Sequence, residues 1–178
     1  MKPFAVPVYD QEPAVLQQVY ERFRKTMGFV PNLYAVIGYS PNALNSYMQF
    51  TAEQARGTFH AKDREAIFLI VSEINGCHYC LASHTVSAIK NGWTAEETLE
   101  IRRGSLSELK WQTIYEVIKS IINNKGQISD QLLEQFFGLG YLEAALMDLL
   151  ALVMVMSFTN YAYRMTEIPI DFPAAQDL

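Results

Sequence analysis

The sequence is short of cysteine, histidine and concentrated positive charge, and each shortage narrows what the chain can do. Cysteine occurs twice and histidine three times in 178 residues, and the formal net charge is −5. No basic cluster exceeds Arg22, Arg24 and Lys25, which fall on a patterned segment and read as its solvated face. Nucleic-acid binding needs a basic footprint for phosphates and is disfavoured. There is no Gly-rich phosphate loop, and no useful length of sequence alternates apolar and polar residues as a strand does. The N-terminal run Met1-Lys2-Pro3-Phe4-Ala5-Val6-Pro7 has no apolar core of signal-peptide length and is broken twice by proline. The longest apolar stretch, Leu149 to Phe158, is interrupted by Ser157 and preceded by Glu143 and Asp148. It falls short of the ~20 residues that cross a bilayer, so a buried core helix is expected instead. These absences predict a cytoplasmic protein with no nucleic-acid partner and no membrane partner.

The two cysteines stand only three residues apart, so a disulfide between them would close almost no loop. That is not the framework of a secreted domain. In a reducing compartment a lone Cys-x-x-Cys points to redox chemistry or to metal binding.

What is present is a globular composition, 50% hydrophobic and 19% charged, patterned as helices nearly throughout. Leu16, Val19, Tyr20, Phe23 and Met27 keep three- and four-residue spacing between Pro13 and Gly28. Val30-Pro31-Asn32 is a break, followed by at most a short helix from Leu33 to Ile37. Ser40 caps, and Pro41 starts, a helix that runs out by Gly57. Another begins near Lys62-Asp63 and stops at Asn75-Gly76, and the next opens at or beside Cys77 and ends at Asn91-Gly92. Thr94 and Glu97 offer a capping box for a short helix to about Arg103. Helices then follow over Leu109 to Ile122, from Ser129 to Phe137, and from Leu142 to about Arg164. Pro169 and Pro173 make the tail irregular. The expectation is an all-α bundle forming a single domain over residues 1–178.

One stretch carries chemistry. If Cys77 opens a helix, Cys80 and His84 project from the same face, with His84 one turn beyond Cys80. A helix N-terminus favours a thiolate, a neighbouring imidazole can take a thiol proton, and thiols on one turn can close a disulfide. Glu65, one helix earlier, projects with Phe68, Leu69 and Ser72 and is placed to orient His84. Taken singly, Glu65 is an ordinary solvated carboxylate and His84 an ordinary packed or surface histidine; the joint pattern at a helix start changes that. The helix dipole favours ionisation of Cys77, whereas contact with a base favours Cys80 as the attacking thiol. His78 faces away from the pair, and Tyr79 packs near it. Zinc could use Cys77, Cys80, His84 and a carboxylate, but structural zinc sites draw on two separated knuckles and only His60 remains. No metal or other cofactor is expected.

Glu65, eleven intervening residues, Cys77-x-x-Cys80, three residues and His84 resemble the signature of the alkylhydroperoxidase D-like (AhpD-like) branch of the carboxymuconolactone decarboxylase superfamily. The resemblance is tightest over residues 63–92, including the wording Asn75-Gly76-Cys77-His78-Tyr79-Cys80. It extends more weakly to Phe158-Thr159-Asn160-Tyr161 and Arg164. The chain departs from well-known members in carrying Tyr79 where they have a second histidine. The resemblance implies an all-helical AhpD-like fold, trimers or hexamers, and reduction of alkyl or other organic hydroperoxides without a cofactor. By position, Cys80 would be the peroxidatic thiol, Cys77 the resolving thiol, His84 the base and Glu65 its relay partner. Electrons would come from a lipoyl or thioredoxin-like dithiol. The alternatives are a thiol–disulfide oxidoreductase with little peroxide activity, a lactone decarboxylase-like enzyme, or a non-enzymatic oligomeric redox or metal-binding protein. Aromatics at Tyr34, Tyr39, Phe50, Phe136 and Phe137 suggest more apolar surface than one small bundle hides, which a homo-oligomer would cover, although core packing is the default reading of each.

Overall fold

Local signals in the chain set the helix ends. The computed structural model describes residues 4–7 and 13–178; Met1 to Pro3 of the N-terminal run lie outside them. After one 3-10 turn at Ala14–Leu16 come α1 (Gln17–Met27), α2 (Asn32–Ile37), α3 (Pro41–Gln54), α4 (Ala61–Ile74), α5 (His78–Lys90), α6 (Ala95–Arg103), α7 (Leu109–Asn123), α8 (Asp130–Gly138) and α9 (Glu143–Thr166). Ser40 Oγ accepts the Ala43 amide at the head of α3, and Ser129 Oγ accepts the Leu132 amide at the head of α8. At α6 the expected capping box is complete. Glu97 N donates to Thr94 Oγ1 at 3.1 Å, and Thr94 N donates to Glu97 Oε2 at 2.7 Å.

The fold is all-helical, as the sequence pattern requires. Its axis is α4, in which every residue from Ala66 to Ser72 is buried. A helix apolar on all sides must be enclosed, and α5, α6, α7 and α9 enclose this one. α9 is 24 residues long and apolar enough, by length and composition, to cross a membrane; half of its apolar window is buried inside the fold. Leu149, Leu152, Val153 and Met156 on α9 belong to the common core.

Two of the aromatics follow the default reading and pack inward. Phe136 is fully buried rather than exposed, stacked on Tyr141 with ring centroids 4.8 Å apart, while its neighbour Phe137 stays partly exposed. Adjacent helical residues point about 100° apart, so a pair of phenylalanines cannot share one face. Tyr34 is half-buried, stacked on Phe23 at 4.7 Å and close to Tyr47. The tail after α9 is irregular, as its prolines demand, yet it is anchored by Ile168, which is 2% exposed.

Candidate active site

The site begins at a backbone reversal. Asn75 ends α4, and Gly76 follows at φ +65°. The Gly76 amide donates to Glu73 O at 3.0 Å and the Cys77 amide to Ser72 O at 2.9 Å. This 6→1 and 5→2 pattern is a Schellman turn, which needs a left-handed residue that glycine adopts without strain. Arg164 of α9 donates to the carbonyls of both Asn75 and Gly76 at 3.2 Å. A Cβ on Gly76 would lie 2.7 Å from that guanidinium. The residue that closes the turn, Cys77, is also the N-cap of α5.

Cys77 lies just before the helix rather than on its first turn. Its Sγ accepts the Cys80 amide at 3.2 Å, the place a serine or aspartate oxygen usually takes. The cysteines are free thiols, 0% and 2% exposed. Hydrogen bonding from the Cys80 side chain lowers the Cys77 pKa against the opposing effect of burial, with the Cys80 amide and the Asn160 side chain assisting. Burial pushes the Cys80 thiol well above the ordinary range; its interaction with Cys77 adds to this, and Asn160 and Thr159 pull it back. Of the two thiols, Cys77 is therefore the one that ionises more readily.

His84 stands two turns into α5. Its Nδ1 lies 2.7 Å from Glu65 Oε2, with the two side chains 19% and 16% exposed. With Nδ1–H donated to the carboxylate, Nε2 is the nitrogen left for other partners. Phe68, one turn beyond Glu65, packs on the imidazole with centroids 5.0 Å apart. The apolar face expected to meet the Cys/His helix does so. Among the described residues no direct hydrogen bond joins His84 to Cys80. The two instead share the wall of a cavity of about 190 Å³, closed by Phe23, Leu33, Tyr34 and Phe172. Cys77 does not line that cavity and lies behind Cys80. His78 is exposed, and Tyr79 is buried beside the pair.

Sequence reasoning missed several groups around the thiols. Asn160, fully buried on α9, donates to Ser72 Oγ at 3.2 Å and accepts from Asn75 Nδ2 at 2.9 Å. Its amide thus locks the end of α4 while acting on both sulfurs. Asp171 receives the Tyr79 hydroxyl at 2.6 Å and the Asn32 amide at 2.8 Å. Burial, then the bond to Asp171, raises the Tyr79 pKa far above its usual value, so that phenol stays protonated. The sequence flagged Asn160 only as part of a weak likeness and gave no signal for Asp171. Among the described residues no three of His, Cys, Asp and Glu converge to hold a metal ion.

The carboxymuconolactone decarboxylase family model matches residues 41–118, which hold all four of these side chains. No curated protein matches the sequence. Solved structures match over nearly the whole chain. A peroxidase-related protein from Silicibacter sp. TM1040 has a TM-score of 0.81 at 19% identity, covering 94% of this chain and 90% of that one. An AhpD-core, peroxidase-related protein from Ralstonia eutropha JMP134 has a TM-score of 0.81 at 13% identity, covering 95% and 92%. The debrominase Bmp8, in complex with 2,3,4-tribromopyrrole, has a TM-score of 0.79 at 15% identity, covering 96% and 93%. At such identities the likeness concerns the fold. Residues 41–118 thus carry the carboxymuconolactone decarboxylase family match, and the chain around them has the fold of AhpD-like, peroxidase-related structures.

Proposed function

We propose that the chain is a cysteine-based peroxidase that reduces small organic hydroperoxides through Cys80 and Cys77. The observation that carries this reading is the cavity shared by Cys80 and His84, with Glu65 2.7 Å behind the imidazole and Cys77 bonded to the Cys80 amide. Cys80 attacks the terminal peroxide oxygen as the O–O bond breaks. Its thiol proton passes to His84 Nε2, directly or through a water, and then to the departing alkoxide, giving an alcohol. Cys80 is left as a sulfenic acid. The Cys77 thiolate attacks that sulfur, the hydroxide that leaves takes a proton from solvent to become water, and a disulfide closes. An external dithiol, lipoyl or thioredoxin-like, then returns two electrons and two protons. The easier ionisation of Cys77 suits the resolving step, and the base beside Cys80 supplies what the first step lacks.

The mass of the reduced protein after one equivalent of organic hydroperoxide tests this. Loss of two hydrogens, mapped to Cys77 and Cys80, is expected; an unchanged mass would remove the proposal. Parallel rates with a disulfide substrate separate a thiol–disulfide oxidoreductase from a peroxidase.

A second reading is favoured by the aromatic lining of the cavity and by the architecture shared with Bmp8. There the dithiol would reductively debrominate an electron-rich ring. The substrate carbon takes a proton and two electrons, bromide leaves, and Cys77 and Cys80 close a disulfide. Bromide release from a bromopyrrole, set against alcohol formation from a hydroperoxide, decides between the two.

We also propose that the chain works as a homo-oligomer in the cytoplasm. Met154, Phe158, Tyr161 and Met165 make an exposed apolar stripe on α9, continued by Phe50 on α3. Light scattering at a single-chain mass would oppose it.

A further inference from the structure

The segment after α9 does more than end the chain. Its Phe172 lines the cysteine cavity, and its contacts are specific. Pro169 O accepts Asn32 Nδ2 at 3.1 Å. Asp171 takes the Asn32 amide at the N-terminus of α2 with one oxygen and the Tyr79 hydroxyl with the other. The Tyr79 oxygen in turn accepts the Leu33 amide at 3.3 Å. Phe172 packs edge-on against Tyr79 at 5.6 Å and tilted against Phe29 at 5.6 Å, and forms part of the cavity wall. Further on, Gln176 O receives Arg102, which is paired with Glu73 at 2.7 Å. The start of α2 and the tail are thus joined through Tyr79, the residue directly before Cys80.

We propose that this C-terminal strap sets the substrate size for the site, with Phe172 as the specificity-determining wall and Asp171 as the latch that positions it. The inference rests on the dithiol reading for its substrate but not for its geometry. The cavity of about 190 Å³ is slightly larger than the apolar cavity of ~150 Å³ that takes benzene. Its occupant is therefore an apolar organic molecule of about one ring or a short branched chain, carrying its reactive atom to Cys80. Long-chain and multi-ring molecules are excluded by Phe172 rather than by the thiols.

Two readouts test this. The first is alkylation of Cys80 in the reduced protein, mapped by peptide mass, with small iodoacetamide and bulky pyrene maleimide. The ratio of bulky to small rates is expected to rise about tenfold in Phe172→Ala and about threefold in Asp171→Asn, which weakens a hydrogen bond without changing shape. Tyr79→Phe, which removes the other half of the latch, should move the ratio as Asp171→Asn does. The second is the preference for cumene hydroperoxide over a long-chain fatty-acid hydroperoxide, expected to fall about tenfold in Phe172→Ala. Should that variant fail to fold, Phe172→Leu trims the ring with less loss of packing. Ratios unchanged in the Phe172 and Asp171 variants would overturn the proposal. Altered alkylation ratios in a protein that consumes no hydroperoxide would uphold the strap and reject the peroxidase.

Discussion

The α4–α5 hairpin and the α9 segment with its tail contribute to the same site in opposite ways. The hairpin supplies Glu65, Cys77, Cys80 and His84 from twenty consecutive positions, so helix pitch and one turn fix their spacing. α9 and the tail supply Asn160, Arg164, Asp171 and Phe172, and the hydrogen bonds of the first three to the hairpin span 85 to 92 residues. The hairpin brings reactive groups. The distant segment brings their setting: a clamp on the turn, an amide beside the sulfurs and a wall across the cavity. Chemistry written locally is legible in a sequence, and the environment that tunes it is not.

Substitutions can break this division of labour. The largest effect is expected in the hairpin: Cys80→Ser should lower dithiol-dependent hydroperoxide turnover at least about a thousandfold, since among the described residues no other thiol lines the cavity. Turnover equal to the parent protein would reject Cys80 as the attacking thiol. Glu65→Gln keeps the shape but removes the charge facing Nδ1, and should cost about a hundredfold in kcat/KM. A purely structural Glu65 would instead change the melting temperature and leave the pH–rate profile in place.

The clamp from α9 is tested at Gly76. Alanine there must adopt φ +65° and displace Arg164 from two carbonyls. Gly126 also has positive φ, +89°, but open space around it. In urea denaturation Gly126→Ala should cost about 1 kcal/mol, and Gly76→Ala about 1 kcal/mol more for the lost hydrogen bonds. Equal losses would mean that Arg164 does nothing for the turn.

The smallest effect is a pH dependence. The Cys77 pKa is lowered in the folded protein and that of Cys80 is raised. The lowered thiol adds stability that is present above the ordinary thiol range and lost as pH falls through the folded Cys77 value. The raised thiol does the reverse: its contribution is full below the ordinary range and is lost as pH rises toward the folded Cys80 value. Stability of the reduced protein should therefore climb and then decline across the thiol range, and a Cys77→Ser, Cys80→Ser double variant should be flatter there.

Helix boundaries were legible because caps and stops act over a few residues. Ser40, Thr94 with Glu97, Ser129 and Gly76 each act where the pattern places them. The pairing of Glu65 with His84 was legible because a three-residue link between helices leaves little freedom. The burial of Phe136 was not legible because its neighbour Phe137 gives no sign of which ring turns inward. Asp171 and Phe172 left no trace because an irregular segment has no period, and its partners Asn32 and Tyr79 belong to helices far along the chain.

One consequence follows from the sulfur that begins α5. The backbone amide holding the Cys77 sulfur belongs to Cys80, whose own sulfur must bond to Cys77 on oxidation. A disulfide sulfur is a poorer acceptor than a thiolate, so oxidation weakens the anchoring of the helix's first turn. Capping groups are commonly worth about 1 kcal/mol. Part of that sum returns when the bond opens, so the helix itself helps to pull the oxidised pair back to its dithiol.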